Sequence, residues 1–312
     1  MTNIRDIAKL SGYSVSTVSR YLSHHGYVSK EAQEVISSVI RKTDYMPNEI
    51  ARELSNGKNL TIGVVVPHIR HPYFNYLISG ITKSAFNAQY KVLMLPSNYN
   101  VTIERRYLEL LHQKAFDAII FTSHKLPLTE LQKYQKYGPV ICCENPQQVP
   151  IAAAYSLRTE TFVKAFEQIK KNNFKKIILI LSRNIAQSAT AQTTIAAYEK
   201  VFKKLPVKEQ IISNTFSFQH GYEIAKKISL EKKQTEFLFC NNDDVAAGIY
   251  QYYNEQKLTL PGIMGQENQP IGKILNISTI DHHLETVGEL AGKLAISGKI
   301  QQIPVESTLI WR

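Results

Sequence analysis

Six short apolar runs, separated by stretches with helical spacing, constrain the fold of the larger part of this chain. The runs are LTIGVVV, YKVLML, FDAIIFTS, GPVICC, KKIILIL and EFLFC, and each has the length of a buried strand. Candidate helices lie near residues 73–89, 101–114, 157–171, 192–202, 221–229 and 244–255. Apolar strands that alternate with helices are typical of a parallel sheet covered on both faces. The pattern therefore predicts a doubly wound α/β fold from Leu60 onward.

Length and composition limit the class of protein. The chain has 312 residues, of which 44% are hydrophobic and 20% charged, so it has room for about two compact domains and resembles neither disordered nor fibrous proteins. No stretch approaches the roughly 20 apolar residues of a membrane span, and the opening MTNIRDIAKL lacks the apolar run of a signal peptide. We therefore expect a cytoplasmic location and no membrane partner.

The usual signatures of catalysis, metal binding and nucleotide binding are missing from the sequence. The three cysteines, Cys142, Cys143 and Cys240, lie in apolar runs and are expected to be buried strand residues. The first predicted strand is followed by PHIRHPYF, which is not a glycine-rich phosphate loop. No HExxH spacing and no recognisable nucleophile elbow occur. The sequence thus predicts no enzyme activity, cofactor or metal site.

The first 46 residues carry the pattern of three short helices. Asn3 and Asp6 form a capping pair at the start of the first helix, and Gly12 supplies the residue that can end it with a positive φ. Ser14 can cap a second helix, VSTVSRYL, and Ser29 a third. Two short helices joined by a turn that contains glycine are typical of a helix-turn-helix unit.

The second helix would present one polar face to solvent. Arg20 on that face can donate two hydrogen bonds to guanine, whereas Ser16 and Thr17 can reach base edges or phosphates. Val15 can contact a thymine methyl group, and Ser19 lies on the same face. We therefore interpret this helix as one that reads base pairs in the major groove.

Net charge alone does not locate a nucleic-acid surface. The chain carries 37 Lys and Arg against 26 Asp and Glu, a net charge of +11, but residues 1–58 hold only 8 of the basic and 6 of the acidic residues. Lysine pairs between residues 164 and 233 contribute much of the excess. They indicate either a solvated surface or a docking surface for an acidic or phosphorylated protein partner.

Three segments carry a specific family resemblance. The segments IRDIAKLSGYSVSTVSRYLS, GYVSKEA and YMPNEIARELSNGKNLTIGVVVP resemble the N-terminal signature of the lactose/galactose repressor family of bacterial transcription regulators, and weaker similarity continues to the C-terminus. The resemblance implies an all-α helix-turn-helix domain over residues 1–46, a hinge helix and linker over 47–58, and an effector-binding and dimerisation core over 59–312. That core would be a two-lobed α/β fold with parallel sheets, like the periplasmic sugar-binding proteins.

The resemblance also implies how the chain meets DNA. A homodimer would bind a double-stranded, pseudo-palindromic operator. Residues 48–55 would form a helix on DNA, with Leu54 and its dimer mate wedged into a minor-groove step. The residues assigned to DNA contact are Val15, Ser16, Thr17, Ser19, Arg20, Asn48, Ala51 and Leu54.

A small effector, a sugar or sugar phosphate, is expected beyond the carboxyl ends of the strands. The candidate residues are Tyr73, Phe74, Ser123, Glu144, Thr194, Phe216, Asn242, Asp243 and Glu267. For each of them a cap or strand-end structural role is an equally reasonable interpretation. The predicted function is a repressor of carbohydrate-use genes, and the sequence leaves open whether the effector weakens or strengthens DNA binding.

Departures from the family pattern leave an alternative open. The ligand-clamping arginine of the family is replaced by Thr194, and its acidic turn reads Gly265-Gln266-Glu267-Asn268. The pocket could therefore be degenerate, with the regulator governed by a partner protein or unresponsive to ligand. Conversely, Arg70 and His71 precede a predicted helix, whose amino terminus favours a phosphate or carboxylate on the effector.

Overall fold

A computed structural model describes residues 2–23, 26–46, 57, 59–69, 72–231 and 234–312. The chain divides into two compact units, residues 1–59 and 60–312. Within the described residues no helix is long and apolar enough to cross a membrane.

The first unit contains the three predicted helices, α1 (Ile4–Ser11), α2 (Val15–Ser23) and α3 (Lys30–Thr43). The capping pair at the start of α1 is confirmed: Asn3 Oδ1 accepts from the backbone N–H of Asp6 at 3.2 Å, and the Asp6 carboxylate accepts from the backbone N–H of Asn3 at 2.9 Å. Gly12 ends α1 with a φ of 74°. The helices enclose a small core whose fully buried members are Ile7, Val18 and Ile36.

The second unit has two lobes, each built on a parallel sheet. In the first lobe the strand order is β2-β1-β3-β4-β5-β11. These strands are β1 (Thr61–Val66), β2 (Lys91–Pro96), β3 (Ala118–Phe121), β4 (Val140–Cys142), β5 (Ala152–Leu157) and β11 (Gln302–Glu306). The lobe also contains the helices α4 (Pro72–Asn87), α5 (Val101–His112), α6 (Leu128–Gln132) and α12 (Leu284–Ser297).

The second lobe has a four-stranded parallel sheet of order β7-β6-β8-β9 and an antiparallel pair, β10 and β12. Its strands are β6 (Ile177–Ile180), β7 (Ile211–Ile212), β8 (Phe237–Cys240), β9 (Gly262–Met264), β10 (Thr279–Asp281) and β12 (Thr308–Ile310). Its helices are α7 (Thr159–Lys171), α8 (Ala189–Phe202), α9 (Phe218–Leu230), α10 (Asp243–Glu255) and α11 (Pro270–Ile274). The chain passes between the lobes three times, after β5, β10 and β11.

Each lobe contains one helix pair whose backbones touch at glycines. A Cβ on Gly80 of α4 or Gly288 of α12 would lie 2.0 or 2.1 Å from a backbone carbonyl oxygen of the other helix. A Cβ on Gly221 of α9 or Gly248 of α10 would lie 2.1 or 1.9 Å from such an oxygen. No side chain fits at these four positions unless the helices move apart.

Candidate functional site

The α2 helix exposes the face that the sequence assigned to DNA. Val15 is 43% exposed, and Ser16, Ser19 and Arg20 are also exposed, whereas Val18 on the opposite face is fully buried in the core of the unit. This arrangement follows from helical spacing, because the buried position holds α2 against α1 while the others turn outward. The exposed face has hydrogen-bonding groups and one guanidinium, as major-groove readout requires.

Thr17 differs from its neighbours because it takes part in capping α2. It is half-buried, its backbone N–H donates to Ser14 Oγ at 3.2 Å, and its hydroxyl lies 2.9 Å from the same oxygen. Ser16 Oγ lies 2.7 Å from Ser14 Oγ. Both hydroxyls can still turn outward, but Thr17 contributes to the start of the helix as well. Asn48, Ala51 and Leu54, the other DNA candidates, lie outside the described residues.

A cavity of about 310 Å³ lies between the two lobes of the second unit. It is lined from both sides, mainly by residues that follow the carboxyl ends of strands, as expected for α/β sheets. Six of the nine predicted effector residues line it: Tyr73, Phe74, Ser123, Glu144, Phe216 and Glu267. Arg70 and His71 lie outside the described residues.

Three of the nine predicted positions lie outside the wall of this cavity. Thr194 is 1% exposed and donates its hydroxyl to the backbone oxygen of Thr190 at 2.9 Å. Helix α8 instead turns Thr190 and Thr193 toward the cleft. Asn242 is fully buried and caps α10, where its Oδ1 accepts from the backbone N–H of Val245 at 2.7 Å.

Asp243, the third of these positions, holds two distant segments together. Its carboxylate accepts from the backbone N–H of Gln269 and from the Thr279 hydroxyl, each at 2.7 Å. Burial raises the pKa of this carboxyl to about 7, although both of these hydrogen bonds act in the opposite direction. Asp243 therefore serves the packing of α11 and β10 against α10.

The raised pKa of Asp243 predicts a pH-dependent stability. A carboxyl with a higher pKa in the folded state stabilises the fold below its unfolded pKa, near 3.8, and loses that contribution as pH rises through about 7. Relative to Asp243→Asn, the wild-type free energy of unfolding should fall by about 4 kcal/mol between pH 4 and pH 8. Urea unfolding at both pH values measures this difference. Glu209→Gln, at an exposed position, is the control, and a wild-type curve parallel to that of Asp243→Asn would contradict the prediction.

Burial shifts the pKa of two groups on the cavity wall toward the neutral form. Glu267 is 7% exposed, and desolvation raises its pKa well above the ordinary value although Gln269 Nε2 donates to it at 2.6 Å. Desolvation lowers the pKa of His282 well below the ordinary value. The His282 ring nitrogens contact Gln266 Oε1 and Ser307 Oγ, each at 2.9 Å.

Glu144, on the first lobe, is already engaged by its neighbours. Ser123 Oγ donates to its carboxylate, and His124 Nε2 lies 3.4 Å from Glu144 Oε2. Burial by itself lowers the pKa of His124, but the adjacent Cys142 sulfur and the Glu144 carboxylate raise it to about 10. The raised pKa favours a protonated imidazole beside the Glu144 carboxylate.

Two arginines that the sequence analysis missed face the cavity. Arg158 follows β5 and donates to the Tyr73 hydroxyl at 3.2 Å and to the Thr190 hydroxyl at 3.1 Å, so it joins the two lobes. Arg183 follows β6 closely, and its guanidinium carbon lies 4.3 Å from the centre of the Tyr99 ring in the first lobe. Both arginines stand beyond a strand end, and the rule that located the other candidates would have located them too. The cleft thus has guanidinium groups although position 194 is threonine.

Aromatic rings and amide groups complete the wall. The His68 and Phe216 rings stack with centroids 6.4 Å apart and an interplanar angle of 17°. Tyr99 meets His68 edge-on and donates its hydroxyl to Ser123 Oγ at 3.2 Å. Asn241 donates its amide N–H to the backbone oxygen of Thr215 at 2.8 Å. Flat apolar faces with a few convergent polar groups suit a small polyhydroxylated ligand.

Sequence comparison relates both units to one group of proteins. Residues 3–48 match the family described as bacterial regulatory proteins, lacI family. Residues 59–267 match the periplasmic binding proteins and sugar binding domain of LacI family. Catabolite control protein B of Bacillus subtilis (strain 168) is 34% identical over 306 residues, which cover 98% of either chain. The sucrose operon repressor of Pediococcus pentosaceus is 28% identical over 83% of this chain and 78% of its own.

Solved structures share the fold at lower identity. The Lac repressor dimer bound to operator and the anti-inducer ONPF aligns with a TM-score of 0.82 and 17% identity, covering 100% of this chain and 98% of that chain. A LacI family transcriptional regulator from Lactobacillus casei with bound sucrose aligns with a TM-score of 0.73 and 17% identity, covering 81% of this chain and 98% of its own. These alignments support the predicted fold class of a helical head and a two-lobed α/β core.

Proposed function

The chain belongs to the LacI family of bacterial regulatory proteins, and we propose on that basis that it represses carbohydrate-use genes by binding an operator as a homodimer. The observation that carries this proposal is the outward face of α2, where Val15, Ser16, Ser19 and Arg20 are exposed on a helix anchored by buried Val18. Residues 1–46 would read the operator, 47–58 would connect, and 59–312 would bind the effector and dimerise.

A small carbohydrate is the proposed effector. The cavity of about 310 Å³ is within the size range of small-ligand sites, and its wall combines the Phe216 ring with hydroxyl, amide and guanidinium groups. The related sucrose operon repressor is named for a carbohydrate, which supports a carbohydrate effector for this chain. We therefore expect regulation by ligand rather than catalysis, in the cytoplasm where operator DNA lies.

The alternative of a degenerate pocket governed by a partner protein is not supported by the comparisons. That alternative depended on the arginine missing at Thr194. Because Arg158 and Arg183 supply guanidinium groups from other strand ends, the cleft keeps the means to bind a polar ligand.

Selection of binding sites from random-sequence DNA tests the regulator proposal. Purified full-length protein should enrich duplexes with two half-sites related by a two-fold axis, because a symmetric dimer presents α2 twice. Fusing the enriched site to a reporter promoter should then give repression in cells. Failure to enrich any sequence at moderate salt, where nonspecific binding is weakened, would refute operator binding.

A further inference from the structure

The two carboxyl groups and the two guanidinium groups at the cleft differ in how they are paired. Four ionisable carboxyl or guanidinium side chains line the cavity: Glu144, Glu267, Arg158 and Arg183. Glu144 is paired with His124 at 3.4 Å, and buried Glu267 shares a hydrogen bond with Gln269 at 2.6 Å. Within the described ranges neither arginine forms an ion pair with a carboxylate. Burial raises the pKa of Glu267 and so disfavours its charged form, although the nearby Arg158 charge acts in the opposite direction.

Arg183 is the less engaged of the two arginines. Arg158 donates to the Tyr73 and Thr190 hydroxyls, whereas Arg183 makes no hydrogen bond to the described part of the chain and rests on the Tyr99 ring at 4.3 Å. Its five N–H donors are therefore available to a ligand. Stacking on an aromatic ring holds the planar guanidinium in one orientation. Two of its N–H groups can then donate parallel hydrogen bonds to a carboxylate or a phosphate.

A second unpaired group faces the same cavity. Asn241 lines the cavity, and its Oδ1 is buried without a hydrogen-bond donor among the described residues. A buried acceptor without a donor is unfavourable, so a ligand that supplies one is stabilised. The cavity thus offers the Arg183 guanidinium to an anionic group of a ligand, and it offers Asn241 Oδ1 as an acceptor for a ligand hydroxyl.

We propose that the effector is an anionic carbohydrate, a sugar phosphate or a sugar acid, whose anionic group binds Arg183 and one of whose hydroxyls donates to Asn241 Oδ1. Arg158 supplies a second positive charge in the same cavity. The inference rests on the proposed function, since it names the class of effector for the cleft. It does not depend on Arg70 or His71.

Inorganic phosphate is the first probe, because it tests the anion site without knowledge of the sugar. Melting temperatures of the full chain are measured in phosphate and in chloride at equal pH and ionic strength, for wild type, Arg183→Gln and the control Arg106→Gln, an exposed arginine of α5. Phosphate should raise the melting temperature of wild type and Arg106→Gln more than that of Arg183→Gln. An equal phosphate effect in all three proteins would overturn the inference.

Calorimetry on matched ligands then separates the two anion sources. Glucose, glucose 6-phosphate and glucuronate are compared, as are ribose and ribose 5-phosphate. An anionic member should bind at least about tenfold more tightly than its neutral parent, Arg183→Gln should remove that preference, and Arg183→Lys should keep part of it. Tighter binding of a neutral parent would also overturn the inference.

Failure of the anion-site inference can be distinguished from failure of the proposed regulator function. Operator selection, performed without ligand and with each of these sugars and sugar phosphates, tests DNA binding. If operators are enriched but the phosphate effect is independent of Arg183, only the present inference fails. If no sequence is enriched while phosphate and the sugar phosphates still bind through Arg183, the regulator proposal fails and the anion site stands.

Discussion

Gly248→Ala should destabilise the second unit by about 3 kcal/mol or more, which corresponds to roughly 6–12 °C in melting temperature for a unit of this size. The added Cβ would lie 1.9 Å from the backbone oxygen of Phe218, so α9 and α10 must separate. Replacing glycine by alanine inside a helix gains only about 1 kcal/mol of helix propensity, and the steric cost therefore exceeds the gain. Urea or thermal unfolding of the purified protein measures the effect.

Asn254→Ala is the control, because it also places an alanine in α10 but at an exposed position, where it adds no atom against α9. Its stability should stay within about 0.5 kcal/mol of wild type. Gly80→Ala should reproduce the loss in the first lobe, where the added Cβ would lie 2.0 Å from the backbone oxygen of Glu285. A Gly248→Ala protein as stable as Asn254→Ala would mean that the two helices are not in contact in solution.

Arg20→Ala should weaken binding to the selected operator by about 10- to 100-fold and relax the base preference at one position in each half-site. The loss corresponds to the roughly 1–3 kcal/mol by which one bidentate arginine contact discriminates between bases. Because Arg20 is exposed and its neighbour Val18 carries the packing, the head should remain folded. Site selection and equilibrium titration of the operator measure both effects.

Arg41→Ala removes the same charge from an exposed position in the last turn of α3. It should leave the base preference unchanged and alter only the salt-dependent part of the affinity. If Arg20→Ala keeps the wild-type consensus, or if Arg41→Ala relaxes it to the same degree, Arg20 does not read a base.

Local signals in the sequence predicted much of the fold. The capping residues and the six apolar runs correspond to elements of the structure because a cap and a buried strand each have a local physical cause. β7 has two residues and β9 has three, so neither strand is long enough to show a periodic pattern of hydrophobic residues. β5 begins Ala152-Ala153-Ala154, and alanine has low strand propensity.

Helix α12 was missed for a different reason. It contains Gly288 and Gly292, and glycine lowers helix propensity by about 1 kcal/mol at each position. The structure explains their presence, since both glycines sit against α4, where a Cβ would lie within 2.7 Å of its atoms. Close packing of two helices depends on a partner far away in sequence, and local propensity carries no information about it.

The site was predictable to the extent that strand ends determine it. Tyr73, Ser123, Glu144 and Phe216 reach the cavity because they follow strands. Asp243 also follows a strand, but its bonds to Gln269 and Thr279 are made with residues more than 20 positions away, and no local pattern indicates them. The family pattern places its cation at position 194, whereas Arg158 and Arg183 follow the ends of β5 and β6.

The three passages of the chain between the lobes have a consequence for biosynthesis. The first lobe takes α12 (Leu284–Ser297) and β11 (Gln302–Glu306) from beyond the second lobe's parallel sheet, so it cannot be completed before residue 306 has left the ribosome. Until then β5 has no partner along one edge, and the glycine surface of α4 has no helix against it. The nascent protein therefore exposes an open sheet edge while the second lobe is being synthesised.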